Sequence, residues 1–231
     1  MQMRILLWIF RWVCLVVLVC LAIAVLRIGL TPLREFHGWK ALGASNALWV
    51  AGCAFLFRML LTRIRGGDPL EFLDTLEHEL THAFTGYLTF APPVSLTATL
   101  REGGEVELPR ANPIAALSPY FLPLYATFAA LLTLVMQSGF QHYGRIAVAF
   151  LLGSFAYRFL REFHMGQSDF KQYGFIYSLA FIAALLPICL AGILGAAHLW
   201  HIPWHTGVWP LFMEQGQWIS HFLHGFLKKH G

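Results

Sequence analysis

The sequence predicts an all-α polytopic membrane protein of about six transmembrane helices, with a small β-hairpin inserted after a helix that carries HExxH and an interfacial helix at its C-terminal end. Three observations lead there. Of 231 residues, 58% are hydrophobic and only 12% are charged, where soluble domains usually carry about 25% charged residues. Several apolar runs approach or exceed the roughly 20 residues that a helix needs to cross a bilayer. One short stretch after Pro92-Pro93 alternates with a period of two instead.

The first run, residues 5–30, follows a basic leader. It is longer than the roughly 7 to 15 residues of a signal-peptide core, and no small-x-small cleavage site clearly follows, so a retained helix is expected. A second run covers 43–62. Arg4 and Arg11 precede the first run, whereas Arg27, Arg34 and Lys40 follow it, so the positive-inside rule divides its vote on orientation. Cys14, Cys20, Cys53 and Cys189 all lie in apolar runs without a CxxC pair, which reads as buried free thiols. The net charge of +4 is scattered among short loops, and no basic stripe points to nucleic acid.

Gly66-Gly67-Asp68-Pro69-Leu70-Glu71 has the residues of a helix start: Asp68 to cap, Pro69 for the first helical position, and Glu71 three residues after the cap. The resulting span, about 69–90, contains DTLEHELTHAFT. His78 then lies roughly 15 Å along the axis, near the middle of a ~30 Å hydrocarbon core. At 100° per residue, Glu71, Asp74, Thr75, His78, Thr81, His82, Thr85 and Thr89 share one stripe, with Leu73, Leu76, Leu80, Phe84 and Tyr87 facing away. A charged stripe cannot face lipid, so it is expected to line an enclosed, hydrated cavity.

VSLTATL (94–100) and EVEL (105–108) alternate apolar and polar residues around Gly103-Gly104, the pattern of a β-hairpin. Its edges need shielding from lipid, and one of them could accept an extended peptide as an added strand. Asn112-Pro113 restarts a helix over 113–137, which Pro119 and Pro123 should disturb. Further spans are expected over 144–160 and 172–199, the latter with Pro187 inside it. REFHMGQSDFKQYG (161–174) forms the break between them, where Ser168 or Asp169 could cap. The tail, 209–229, with Trp209, Trp218, Phe222 and Phe226, reads as an interfacial amphipathic helix. Residues 1–231 thus form a single membrane domain: N-terminal helices over 1–62, a core over about 69–174, and a last helix and tail over 172–231.

Two histidines four apart project from one helical face and can share a zinc ion at about 2.0–2.1 Å. Glu79, one step round, can serve as general base on water at the metal. Catalytic zinc usually takes a third protein ligand. The candidates are Glu105, Glu107, His142, Glu162, His164, Asp169, the histidines from His198 on, and Glu214. Asp169 is the first choice, because an acid between two spans is otherwise hard to explain, and His164 is the alternative. Asn112 could donate to a substrate carbonyl or oxyanion, or simply cap the helix that follows.

A membrane helix with HExxH, a short β segment, Asn-Pro with further prolines, and a late Asp at the start of a span together resemble the site-2 protease family of intramembrane zinc metalloproteases. The resemblance covers roughly 69–174. It implies one zinc held by His78, His82 and Asp169, with Glu79 activating water for hydrolysis of membrane-protein or membrane-anchored peptide substrates. It also implies a multi-pass protein of the bacterial inner (cytoplasmic) membrane. The family's late motif is typically Leu-Asp-Gly, whereas this chain has Ser168-Asp169-Phe170, and no PDZ-like or CBS-like insertion is seen. Competing readings are a divalent-cation (zinc) transporter, a haem-binding electron carrier, and an inactive member that binds clients without cutting them. A transporter needs ligands along a pathway, and only one such helix exists. Haem ligands usually come singly from facing helices.

Overall fold

Two long helices, α1 (Ala44–Arg65) and α5 (Gln141–Glu162), pack along each other and form the frame on which the other elements lie. Between them in sequence come α2 (Glu71–Leu88), strands β1 (Ser95–Thr99) and β2 (Gly103–Glu107), the short α3 (Pro113–Leu117) with a 3-10 turn at Ser118–Tyr120, and α4 (Leu124–Val135). A one-and-a-half-turn helix, α6 (Ser168–Tyr173), and α7 (Phe175–Ala196) follow. This computed structural model describes part of 9–23, and then 44–65, 70–99, 103–109, 112–164, 167–197 and 199. The expected C-terminal interfacial helix, the Asp68-Pro69 cap and Cys14 lie outside the described residues.

The chain is mostly helical with one two-stranded antiparallel hairpin. Among the described residues, α7 is long and apolar enough to cross a membrane by itself; the count rises to two if α3 and its turn join α4 as one broken span. The helix expected over 113–137, with disturbance at Pro119 and Pro123, is broken there into α3 with its turn and α4. Pro119 and Pro123 each lack an amide donor, and the chain bends by 84° between Tyr120 and Leu124. The runs expected at 43–62, 69–90 and 144–160 are helices, α1, α2 and α5, and each carries charged residues in its interior (Arg58; Asp74, Glu77 and Glu79; Arg158). The described residues of 9–23 are helical, and Leu15 joins Leu117, Tyr120, Phe121, Phe170, Phe181 and Ile182 in one core cluster. Of the cysteines, Cys20 is buried, Cys189 is half-buried and Cys53 is exposed, so burial does not hold for all of them.

α2 begins at Glu71, and Leu70 supplies no side-chain cap. Glu71 pairs with Arg161, Nη2 to Oε1 at 2.9 Å. In the hairpin the register pairs Leu96 with Val106, Ala98 with Gly104 and Thr99 with Gly103. The two glycines thus belong to β2 and not to the turn.

The α1–α5 contact depends on Gly153. A Cβ there would stand 2.1 Å from the Ala51 carbonyl oxygen, backbone that cannot swing away, whereas a Cβ at Gly52 meets nothing within 4 Å. Gly153→Ala is expected to part the helices and cost about 1–3 kcal/mol or more. Gly52→Ala should be neutral or stabilising by up to about 1 kcal/mol. Unfolding of the two variants in detergent checks this, and equal stability would show that the α1–α5 contact tolerates a methyl group.

Candidate metal centre

α2 carries His78 and His82 on its polar side, with ring centroids 4.9 Å apart. Asp169, in the first turn of α6, comes over from the far end of the chain. Its Oδ2 lies 3.6 Å from His78 Nε2 and 3.8 Å from His82 Nε2. One ligand atom from each of the three lies within 4.8 Å of the others, and among the described residues this is the group able to hold a metal ion. Donors about 2.0–2.1 Å from one tetrahedral ion stand about 3.3 Å apart, so a shift of a few tenths of an ångström would bring both contacts to Asp169 to that spacing.

The remaining ring nitrogens are also engaged, which points both Nε2 atoms at Asp169. His82 Nδ1 lies 2.8 Å from the Ala115 carbonyl oxygen, to which it donates. His78 Nδ1 lies 3.4 Å from Glu162 Oε2. Hydrogen bonds of this kind fix the tautomer and the ring plane of a metal-binding histidine. Asp169 is fixed as well: Tyr120, buried and edge-on to His78 at 5.7 Å, donates its hydroxyl to Asp169 Oδ2 at 2.9 Å. Neither Ser168 nor Asp169 caps α6, whose N-cap residue is Gln167 and whose start has no side-chain cap bond. The capping role therefore does not account for this carboxylate.

Glu79 is buried on the same helix, in electrostatic range of His78, Asp169, Glu105 and Glu162. Strand β2 closes over it. A Cβ on Gly104 would come within 2.5 Å of Glu79 Cγ and 2.8 Å of Thr75 Cγ2. Only glycine at position 104 lets the hairpin approach the carboxylate this closely, whereas Gly103 meets nothing within 4 Å and takes a φ of +85°.

Asn112 is a helix cap. Its Oδ1 accepts from the Ala115 amide at 3.0 Å. Its connection to the site runs through α3, because the Ala115 carbonyl that this helix presents is the partner of His82. His164, the alternative third ligand, is exposed and lies outside the group, with Nε2 3.4 Å from Gln167 Nε2. His142, Glu105 and Glu107 are exposed and also stand outside it. The histidines from His198 on and Glu214 lie outside the described residues.

Thr81, Thr85 and Thr89 donate to the carbonyls four residues back at 2.6–2.7 Å, and Thr85 also meets Ser118 at 2.8 Å. Asp74 is held by both terminal nitrogens of buried Arg58, Nη1 at 3.2 Å from Oδ1 and Nη2 on Oδ2. Arg158 Nη1 pairs with Glu77 Oε2 at 3.1 Å and donates to the Asp74 carbonyl at 3.1 Å. The polar stripe of α2 is thus largely neutralised by arginines and packed: Asp74, Thr81, His82 and Thr85 are buried, Thr75 and His78 are half-buried, and Glu71 at its start is exposed. Sequence reasoning missed Arg58, Arg158 and Tyr120. Each had a signal: an isolated arginine inside an apolar run must find an anion, and a tyrosine in an apolar, proline-rich stretch must place its hydroxyl.

Comparison of the chain with protein-family models, with curated proteins and with solved structures finds no match in any of the three.

Proposed function

We propose that the chain is a zinc-dependent intramembrane endopeptidase of the site-2 protease kind, acting on membrane-protein or membrane-anchored peptide substrates in the bacterial inner membrane. The observation that carries this reading is the convergence of His78 Nε2, His82 Nε2 and the Asp169 carboxylate, with the opposite nitrogens of both rings engaged elsewhere. The donor set of two imidazoles and one carboxylate fits zinc and leaves a position open. A buried carboxylate, Glu79, stands beside it on the same helix, as general-base chemistry requires.

Within this reading the chain is a single membrane domain of about six spans: the N-terminal run, α1, α2, the broken α3–α4 pair, α5 and α7. Outward-facing apolar side chains support it. Trp49, Val135 and Ile176 are 75%, 81% and 77% exposed, and lipid satisfies such a surface where water would not. Bound zinc supplies Lewis-acid polarisation of a carbonyl and activation of water. Asp169 is steadied by Tyr120, and His82 by the carbonyl of capped α3. Glu79 accepts the proton that water loses and passes it to the departing amine. Gly104 lets β2 cover Glu79, keeping the carboxylate out of bulk solvent.

Metal analysis of the purified full-length chain tests the reading. Near one zinc per chain is expected in the wild type and in His164→Ala, with zinc lost in His82→Ala and Asp169→Ala. A zinc-free wild type, or zinc kept in Asp169→Ala and lost in His164→Ala, would overturn the assignment.

A further inference from the structure

The last turn of α5 lies against the polar side of α2, and three of its side chains reach three different groups there. Arg158 meets Glu77 and Arg161 meets Glu71. Those contacts are explained by the need to neutralise acids in apolar surroundings. Glu162 is different. It brings a carboxylate to a corner that already holds Asp169 and Glu79, and its Oε2 lies 3.4 Å from His78 Nδ1. Without compensating positive charge, a third acid there is unfavourable.

We propose that Glu162 is a positioning residue for the first metal histidine. It holds the Nδ1–H of His78, so that Nε2, 3.6 Å from Asp169 Oδ2, presents its lone pair where His82 and Asp169 converge. The two histidines are then set differently. His82 is backed by a backbone carbonyl on α3, His78 by a carboxyl side chain on α5. Because Glu162 closes α5, the packing of α5 against α1 and α4 determines the aim of His78. This inference rests on the metal reading of the site.

The test measures zinc affinity of the detergent-purified full-length chain by competition with a chromophoric chelator, with melting of the metal-free protein recorded in parallel. Glu162→Ala is expected to weaken zinc about 10–100-fold. Glu162→Gln, whose amide oxygen can still accept from Nδ1–H, should fall in between, and Glu107→Gln on the exposed hairpin should bind as wild type. Metal-free melting should be unchanged in Glu162→Gln, which also decides the matter if the alanine variant does not fold. Affinities within about threefold of wild type in the Glu162 variants, or a lowered melting temperature at unchanged affinity, would make Glu162 merely structural and leave the metal site standing. A wild type that binds no zinc would overturn both.

Discussion

Replacing Glu79 by glutamine is expected to leave zinc bound and to lower peptide cleavage by about 10²–10⁴-fold. The substitution keeps side-chain size, which matters because Gly104 in β2 is packed against Glu79 with no room for a larger group. It removes only the ability to take a proton. His78, His82 and Asp169 keep their mutual geometry, so metal content separates this variant from His82→Ala. Zinc-dependent cleavage of single-span membrane proteins, co-expressed with the variant, is the measurement. Cleavage at the full rate with zinc retained would remove Glu79 from the chemistry.

The second large effect belongs to the fold that holds the site. Arg158 is 1% exposed, and its Nη1 contacts both Glu77 and the Asp74 carbonyl. Breaking a buried ion pair by removing one partner typically costs about 3–5 kcal/mol, because the other charge stays buried and unmatched. Arg158→Met is expected to lose stability in that range. Adding Glu77→Gln should recover part of the loss, since glutamine leaves no net charge and its amide oxygen can still accept from the Tyr125 amide that Glu77 Oε1 now serves at 2.8 Å. Denaturant unfolding of the single and double variants in detergent measures both effects. A single-variant loss under about 1 kcal/mol would mean that Glu77 readily finds water or another partner.

What could be read without a structure follows the range of the interactions concerned. Composition indicated a helical chain rich in apolar surface. The relation between His78 and His82 is local, since residues four apart share a helix face whatever the rest of the chain does. The hairpin was legible from its period of two, although the need for glycine at 104 within β2 was not, because it depends on the nearness of Glu79 and Thr75. The bend at Pro119 and Pro123 was foreseen as a disturbance. Its size, 84°, depends on how α3 and α4 pack.

The sequence by itself determined the pair of imidazoles, the acid between them, the helices and strands, and the points where proline interrupts them, because propensity, periodicity and missing amide donors act over a few residues. Only the tertiary structure decided that Asp169 faces the two histidines and His164 does not, since α6 and α2 are brought together by packing around Leu117, Tyr120 and Phe170. It likewise decided that the acids of α2 meet Arg58, Arg158 and Arg161 from two other helices. A buried charge must find an opposite charge, and that need says nothing about which of several distant arginines will be within reach. Packing of α1 and α5, down to the missing side chain at Gly153, makes that choice.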